Sequence, residues 1–299
     1  MGDPLAQIVS LLRPDLSFSK YIETAGAWRV RRSEEGRPFF SAVLEGRVQL
    51  EVPGHAPLVL EANDFILIPS AHDFVSSSYD LAPDAPVSTA PVEIRPNIFR
   101  FGDPDAPVEV RMLVGYCDFG SSDAALLLSL LPTLVHVRGD DRLATVAKLA
   151  AQELRSDRPA REAIVARLME VLFIETLRTA GSKGVSGLLR GLGDERIAQA
   201  IRSMHETPHA NWTIDTLADQ AALSRSAFFD RFRRAVGQSP MDYLLQWRMT
   251  LAKDLLHRET GSIAEIARQI GYGSASAFST AFTRHVGQPP SQYKSSGEA

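Results

Sequence analysis

The sequence predicts an α+β chain of two domains: an N-terminal β-barrel followed by helices, then a C-terminal all-α domain built from a duplicated helix pair. Three observations predict it. The chain has 299 residues, more than a single core usually organises. Its apolar pattern alternates with period two as far as about residue 120 and then recurs every three or four residues. The last third also matches itself at a displacement of fifty residues.

The barrel is expected over about residues 20–120. AWRVRR from Ala27, FFSAVLEGRVQLEV from Phe39 and LVLEANDFILIPS from Leu58 are short, alternating runs, with Gly46 and Pro53-Gly54 marking turns between them. Residues 81–107 are rich in Pro, Ala, Asp and Ser and read as an exposed loop around one short strand; VEVRMLVGYCDF from Val108 then closes the barrel. Helices are expected over about 122–180. Leu126, Leu130 and Leu131 precede Pro132, and Leu143, Val146, Ala147, Ala150 and Leu154 mark a second helix. In a third, from about Arg161 to Thr179, Ile164, Leu168, Val171, Leu172, Ile174 and Leu177 form an apolar face wide enough for a helical dimerisation segment; packing on the barrel alone is the plainer use. These residues make a first domain of 1–180, and the glycine-rich stretch 181–193 reads as a linker to a second domain of 194–299.

In that second domain Phe228, Phe232, Gly237, Gln238, Pro240 and Tyr243 fall on Phe278, Phe282, Gly287, Gln288, Pro290 and Tyr293 at displacement fifty, while Leu217 and Ala218 fall on Ile266 and Ala267 at forty-nine. The second copy therefore has one extra turn residue. Each copy has helix-turn-helix logic, at about 213–236 and 262–286. A short helix, with Thr213 or Ser262 as N-cap, leads through a tight turn to a second helix capped by Ser224 or Ser274. The paired phenylalanines belong to the core. The opposite face leaves Arg225, Ser226, Phe229, Asp230, Arg233 and Arg234 free in the first copy, and Ala275, Ser276, Ser279, Thr280 and Arg284 in the second. Arg231 and Arg234 either touch phosphate or are simply solvated. A connecting helix over about 241–257 is long enough to hold two such units near one DNA turn apart.

The phrase GY-x-S-x-x-x-F-x-x-x-F-x-x-x-x-G-x-x-P-x-x-Y, from Gly271 to Tyr293, is specific, and residues from about Asp194 to Lys294 resemble the AraC-type (AraC/XylS) DNA-binding domain. The first 180 residues are similar to the cupin-like sensor domain of some of these regulators, through AWRV, FFSAVLEGRVQL, NDFILIPS and LLSLLP. The resemblance implies a cytoplasmic transcription factor that binds promoter DNA, often contacts RNA polymerase, and carries a sensor domain that dimerises and answers to a small-molecule effector. Because Ala275, Ser276, Ser279 and Thr280 are small, the first unit is expected to carry most base readout, and the second to bind phosphates and read thymine methyls.

Catalysis has little support. Cupin enzymes hold metal with histidines and a carboxylate, but this chain offers only His55, His72 and His136 nearby, and Ser41 stands where related sensors often have a histidine. No bound metal or other cofactor is expected, and the chain is not expected to be an enzyme; the alternative is a cupin-type metal-dependent enzyme with an accessory DNA-binding domain. Trp28, Phe39, Phe40, His72 and Phe74 are candidate effector-pocket residues. Cys117 is the one cysteine, so no intrachain disulfide forms, and its apolar strand leaves only a weak case for a single-thiol sensor. No nucleophile elbow, phosphate-binding loop or C-x-x-C occurs. No run is long enough to cross a membrane, and no secretory signal is seen. The net charge of -4 points away from nucleic acid for the whole chain. Divided at residue 193 it becomes -5 and +1, so the acidity belongs to the first domain.

Overall fold

The computed structural model describes residues 3–12, 14–15, 19–81, 87, 89–119, 128, 131–182, 187–258 and 261–295. The chain divides into two compact units, one of residues 14–119 with 132–180, the other of 1–13, 120–131 and 181–299.

The first unit is β-rich. Its main sheet holds β2 (Ser19–Ala25), β3 (Arg29–Glu45), β4 (Arg47–Glu51), β5 (Leu58–Glu61), β6 (Phe65–Ser78), β7 (Val92–Arg95), β8 (Ile98–Gly102) and β9 (Val110–Tyr116) in the order β5-β4-β6-β3-β9-β2-β8-β7, with β11 (Val135–Val137) added on β6. Every pairing is antiparallel except β2 with β8. A separate two-stranded ladder joins β1 (Pro14–Asp15) to β10 (Asp118–Phe119). The 17-residue β3 stays in one sheet by bending: its register on β6 slips between Ser33 and Arg37 and again between Arg37 and Phe39, on either side of Arg37 and beside Pro38, which has no amide to give to a ladder.

A closed barrel was the expectation, and the described strands do not close one. Their hydrogen-bonded path runs open from β5 to β7. The sheet nevertheless curls round one core, because Leu60 near one end and Phe101 near the other are buried in the same cluster as Trp28, Phe39 and Phe74. Closure depends on which edge strands pair across many residues of sequence, and alternation alone carries no such information.

Two helices follow. In α2 (Asp141–Leu154), Asp140 caps the start by accepting from the amides of Arg142 and Leu143, each at 3.0 Å. In α3 (Arg161–Ser182), Val165, Met169, Leu172, Phe173 and Leu177 are buried, whereas Ile164 and Val171 stay about two-fifths exposed, at 41% and 42%. The helix expected at Leu126–Leu131 lies almost wholly outside the described residues.

The second unit is helical. Its α1 (Pro4–Leu12), expected to belong with the first domain, buries Pro4, Ile8, Val9 and Leu12 and packs on α5 (Glu195–Glu206). The stretch expected to be a linker is a packed element over most of its described length: α3 continues to Ser182, and α4 (Leu188–Gly193) packs on α5 and on α7 (Arg225–Val236) with Leu188 and Leu189 buried. The glycine at 191 has a packing role. Gly191 is glycine because a Cβ there would lie 2.8 Å from Val236 and 3.1 Å from Ile201, so it serves close packing rather than freedom. Residues 183–186 of that stretch lie outside the described residues.

The remaining helices are α6 (Ile214–Gln220), α8 (Pro240–His257), α9 (Ile263–Gln269), α10 (Ala275–Val286) and α11 (Pro290–Ser295). Each half of the repeat has its own aromatic core. Phe228 and Phe232 lie 5.6 Å apart and Phe232 lies 5.8 Å from Tyr243; Phe278 and Phe282 lie 5.4 Å apart and Phe282 lies 5.5 Å from Tyr293. His205 is buried against this region, stacked 3.6 Å from Trp247 and 2.7 Å from the Tyr243 hydroxyl.

Candidate nucleic-acid interface

Two helix-turn-helix units sit at the two ends of α8. In the first, Thr213 and Thr216 form a reciprocal capping box at the start of α6; in the second, Ser262 and Glu265 do the same for α9. The recognition helices α7 and α10 are capped by Ser224, accepting from the Ala227 amide, and by Ser274, accepting from the Ala277 amide, and both end on left-handed glycines, Gly237 and Gly287. The turns correspond residue by residue. The Leu223 amide returns to the Ala218 carbonyl at 3.0 Å, and the Tyr272 amide returns to the Ala267 carbonyl at 2.8 Å. Ala222 and Gly271 occupy the same left-handed position, with φ of 51° and 89°, which makes Gly273 the added residue of the second copy.

The first recognition helix presents Arg225, Ser226, Asp230, Arg233 and Arg234 to solvent, with Phe229 half-buried. Arg225 is already engaged: its guanidinium donates to the Asp215 carboxylate of α6 at 2.8 Å. Arg231 is turned to the protein. It donates to Asp194 at 2.7 Å, and the same carboxylate caps α5 through the amides of Arg196 and Ile197. Burial pushes the Asp194 carboxyl up, but the Arg231 hydrogen bond and the two amides outweigh it and leave the group below its ordinary value.

The second recognition helix has a different chemistry. Ser276, Thr280 and Arg284 are exposed, while Ala275 and Ser279 are half-buried. The Ser279 hydroxyl donates to the Ala275 carbonyl at 2.8 Å, Thr280 to the Ser276 carbonyl at 3.0 Å, and Thr283 to the Ser279 carbonyl at 2.8 Å. Each hydroxyl proton is therefore committed to the helix itself.

Sequence reasoning passed over Asp215, although aligning the copies contains a signal for it. Asp215 and Arg225 correspond to Ala264 and Ala275, so the pair is present in one copy and replaced by two alanines in the other. Arg196, whose guanidinium donates to the Ala222 carbonyl and so braces the first turn, had no such signal.

In the β-rich unit, Trp28, Phe39 and Phe74 line one small interior cavity of about 30 Å³ together with Ile22, Phe101 and Met112. Phe40 does not join them. As the neighbour of Phe39 on a strand it faces the other side of the sheet, where it stacks on Phe65. His72 is exposed, 3.2 Å from the Ser70 hydroxyl, and is not part of the cavity either. His55 lies 3.0 Å from Thr133, and His136 lies 3.1 Å from the buried Asp64 carboxylate. Among the described residues no group of three or more His, Cys, Asp and Glu is placed to hold a metal. Cys117 is a buried thiol, and no described helix is long and apolar enough to cross a membrane.

Residues 3–180 match a cupin family model, and residues 217–296 match a helix-turn-helix domain model. The chain is 36% identical over 302 residues to an AraC-like transcription regulator of Streptomyces lividans and 33% identical to one of Streptomyces antibioticus, each alignment covering 98% of both chains. The solved DNA-binding domain of AdpA, in complex with a target DNA, aligns at 31% identity with 33% of this chain and 89% of its own, with a TM-score of 0.32. The chain, with a cupin domain ahead of a helix-turn-helix domain, belongs to the AraC-like transcription regulators, which are DNA-binding proteins.

Proposed function

We propose that each chain reads two successive major grooves of one promoter site, with a DNA-binding domain of about residues 194–299 and a sensor of about 1–180. The observation that carries this is the repetition of caps, turn and aromatic core at both ends of one 18-residue helix, about 27 Å long at 1.5 Å per residue. In this reading Arg225, Ser226, Phe229, Asp230, Arg233 and Arg234 face one groove, and Ala275, Ser276, Ser279, Thr280 and Arg284 face the next. The first set carries most of the direct base contacts, because Arg reads guanine bidentately. Selection of sites from randomised DNA tests it. Two half-sites about one turn apart are expected, with Arg233→Ala relaxing preference in one and leaving the other intact. Recovery of a single half-site would overturn it.

The regulator answers to a small-molecule effector in the sensor rather than acting as an enzyme. Supporting this, a cleft of about 530 Å³ opens beside Trp28 and Thr24, next to Tyr79 and Glu109, and the buried Trp28 Nε1 and Thr24 Oγ1 find no partner among the described residues. Buried donors of this kind favour a ligand that brings an acceptor. The exposed Ile164 and Val171, with Leu168 half-buried between them on α3, suit a second copy of the chain. Val171→Lys is expected to shift the protein from dimer to monomer in sedimentation; an unchanged mass would exclude this face. In the promoter complex the DNA-binding domain also contacts RNA polymerase.

A further inference from the structure

One contact in the DNA-binding unit is not required by the repeat. Arg248, in the middle of α8, is half-buried, and its guanidinium donates through Nε to the Pro208 carbonyl at 2.7 Å and through Nη2 to the Ala210 carbonyl at 2.8 Å. Both carbonyls lie in the loop that leads into the first helix-turn-helix unit. That loop is held in shape by its own bonds, the Ala210 amide and the Trp212 indole N–H each donating to the Thr207 carbonyl.

The other side of Arg248 meets the second unit. A Cβ placed on Gly271 would lie 2.8 Å from Arg248 Nη2 and 3.0 Å from both the Cα and the carbonyl oxygen of His209. The loop before the first unit, the connecting helix and the turn of the second unit therefore converge on one guanidinium. This junction links the two units in addition to α8.

We propose that Arg248, seated between the 207–212 loop and Gly271, is a positioning residue that fixes the spacing and phase at which the two recognition helices meet DNA. The chemistry suits the role. Arginine presents donors in a rigid planar fork that can hold two carbonyls at a set angle, whereas a lysine ammonium on a flexible stem cannot fix that angle. Gly271 suits it too. At φ 89° a side chain at 271 would be strained by the backbone itself, and it would in addition crowd Arg248 and His209; the equivalent Ala222 of the first unit, at φ 51°, carries a Cβ.

This inference rests on each chain reading two grooves, and the experiment separates the two. Sites are selected from randomised DNA with the full-length protein and with Arg248→Ala, Arg248→Lys and Gly271→Ala, thermal midpoints being measured alongside. Wild type is expected to return two half-sites at one spacing. The variants are expected to return the same half-site sequences at mixed spacings, with affinity for the wild-type spacing lower by about tenfold, since the second contact loses its fixed geometry. Gly271→Ala approaches the junction from the opposite side and carries the test if an Arg248 variant fails to fold. Folded variants that keep the single wild-type spacing, or that bind no DNA at all, would overturn the role of Arg248. A wild type that selects only one half-site would instead overturn the two-groove reading.

Discussion

The Arg225–Asp215 pair is exposed on both sides, with side-chain exposures of 65% and 59%, so it contributes at most about 1 kcal/mol to stability. Its consequence belongs to recognition. Asp215 holds the arginine in one direction and lowers the positive charge offered to DNA. Asp215→Asn is expected to leave the thermal midpoint unchanged, to raise affinity for random DNA and to lower the ratio of specific to non-specific binding, measured by competition at fixed salt. An unchanged ratio would mean that the pair dissolves in the complex. His205 is a second residue whose effect can be read. Burial lowers its pKa from 6.5 to about 3, so the folded state holds it neutral while the unfolded chain protonates it below about pH 6.5. Stability from this group is complete above that pH and falls as pH drops towards 3. By pH 5 the loss is about 2 kcal/mol. Subtracting the pH profile of His205→Gln from that of wild type should isolate this slope, and a flat difference would contradict it.

At the scale of elements, the turn of the first unit holds a measurable defect. Ala222 adopts φ of 51°, a backbone that costs a residue with a Cβ about 1 kcal/mol relative to glycine. Ala222→Gly is expected to raise the stability of this unit by somewhat less than that, about 0.5 kcal/mol after the glycine's extra freedom in the unfolded chain is counted, and chemical denaturation would detect it. The helices of this half were legible because their information is local: Thr213, Ser224, Ser262 and Ser274 announce starts, Gly237 and Gly287 announce ends, and the repeat states everything twice. What was not legible depends on distant partners. The meaning of Gly191 lies in Val236 and Ile201, and that of Arg248 lies in Pro208 and Ala210. The pairing of sheet edges is non-local in the same way. Phe40 is a different case, since the alternation that marked its strand already placed it on the opposite face from Phe39.

For the whole molecule, charge is distributed unevenly enough to set how binding responds to salt. The C-terminal 106 residues carry a balance of only +1, and apart from Arg231, which is held by Asp194, the exposed arginines of the recognition helices are Arg225, Arg233, Arg234 and Arg284. Four neutralised phosphates imply a slope of log affinity against log salt of about -4, where a polybasic protein reaches about -10. A titration that gave the steeper value would require phosphate contacts from surfaces other than these two helices.

The packed α4 bears on how far apart two DNA-bound copies can stand. A slack thirteen-residue tether would let each DNA-binding half wander over tens of ångströms. With α3 helical to Ser182 and α4 packed from Leu188, Ser182 and Gly187 are five Cα steps apart in the chain, which sets an upper bound of about 18 Å on their separation. Two copies paired through α3 would then tolerate little variation in the distance between neighbouring sites on a promoter. Inserting half a helical turn of DNA between such sites would shift the second site by about 17 Å along the duplex and onto its opposite face, a change comparable to the whole span of that connection, so binding to the paired sites should weaken.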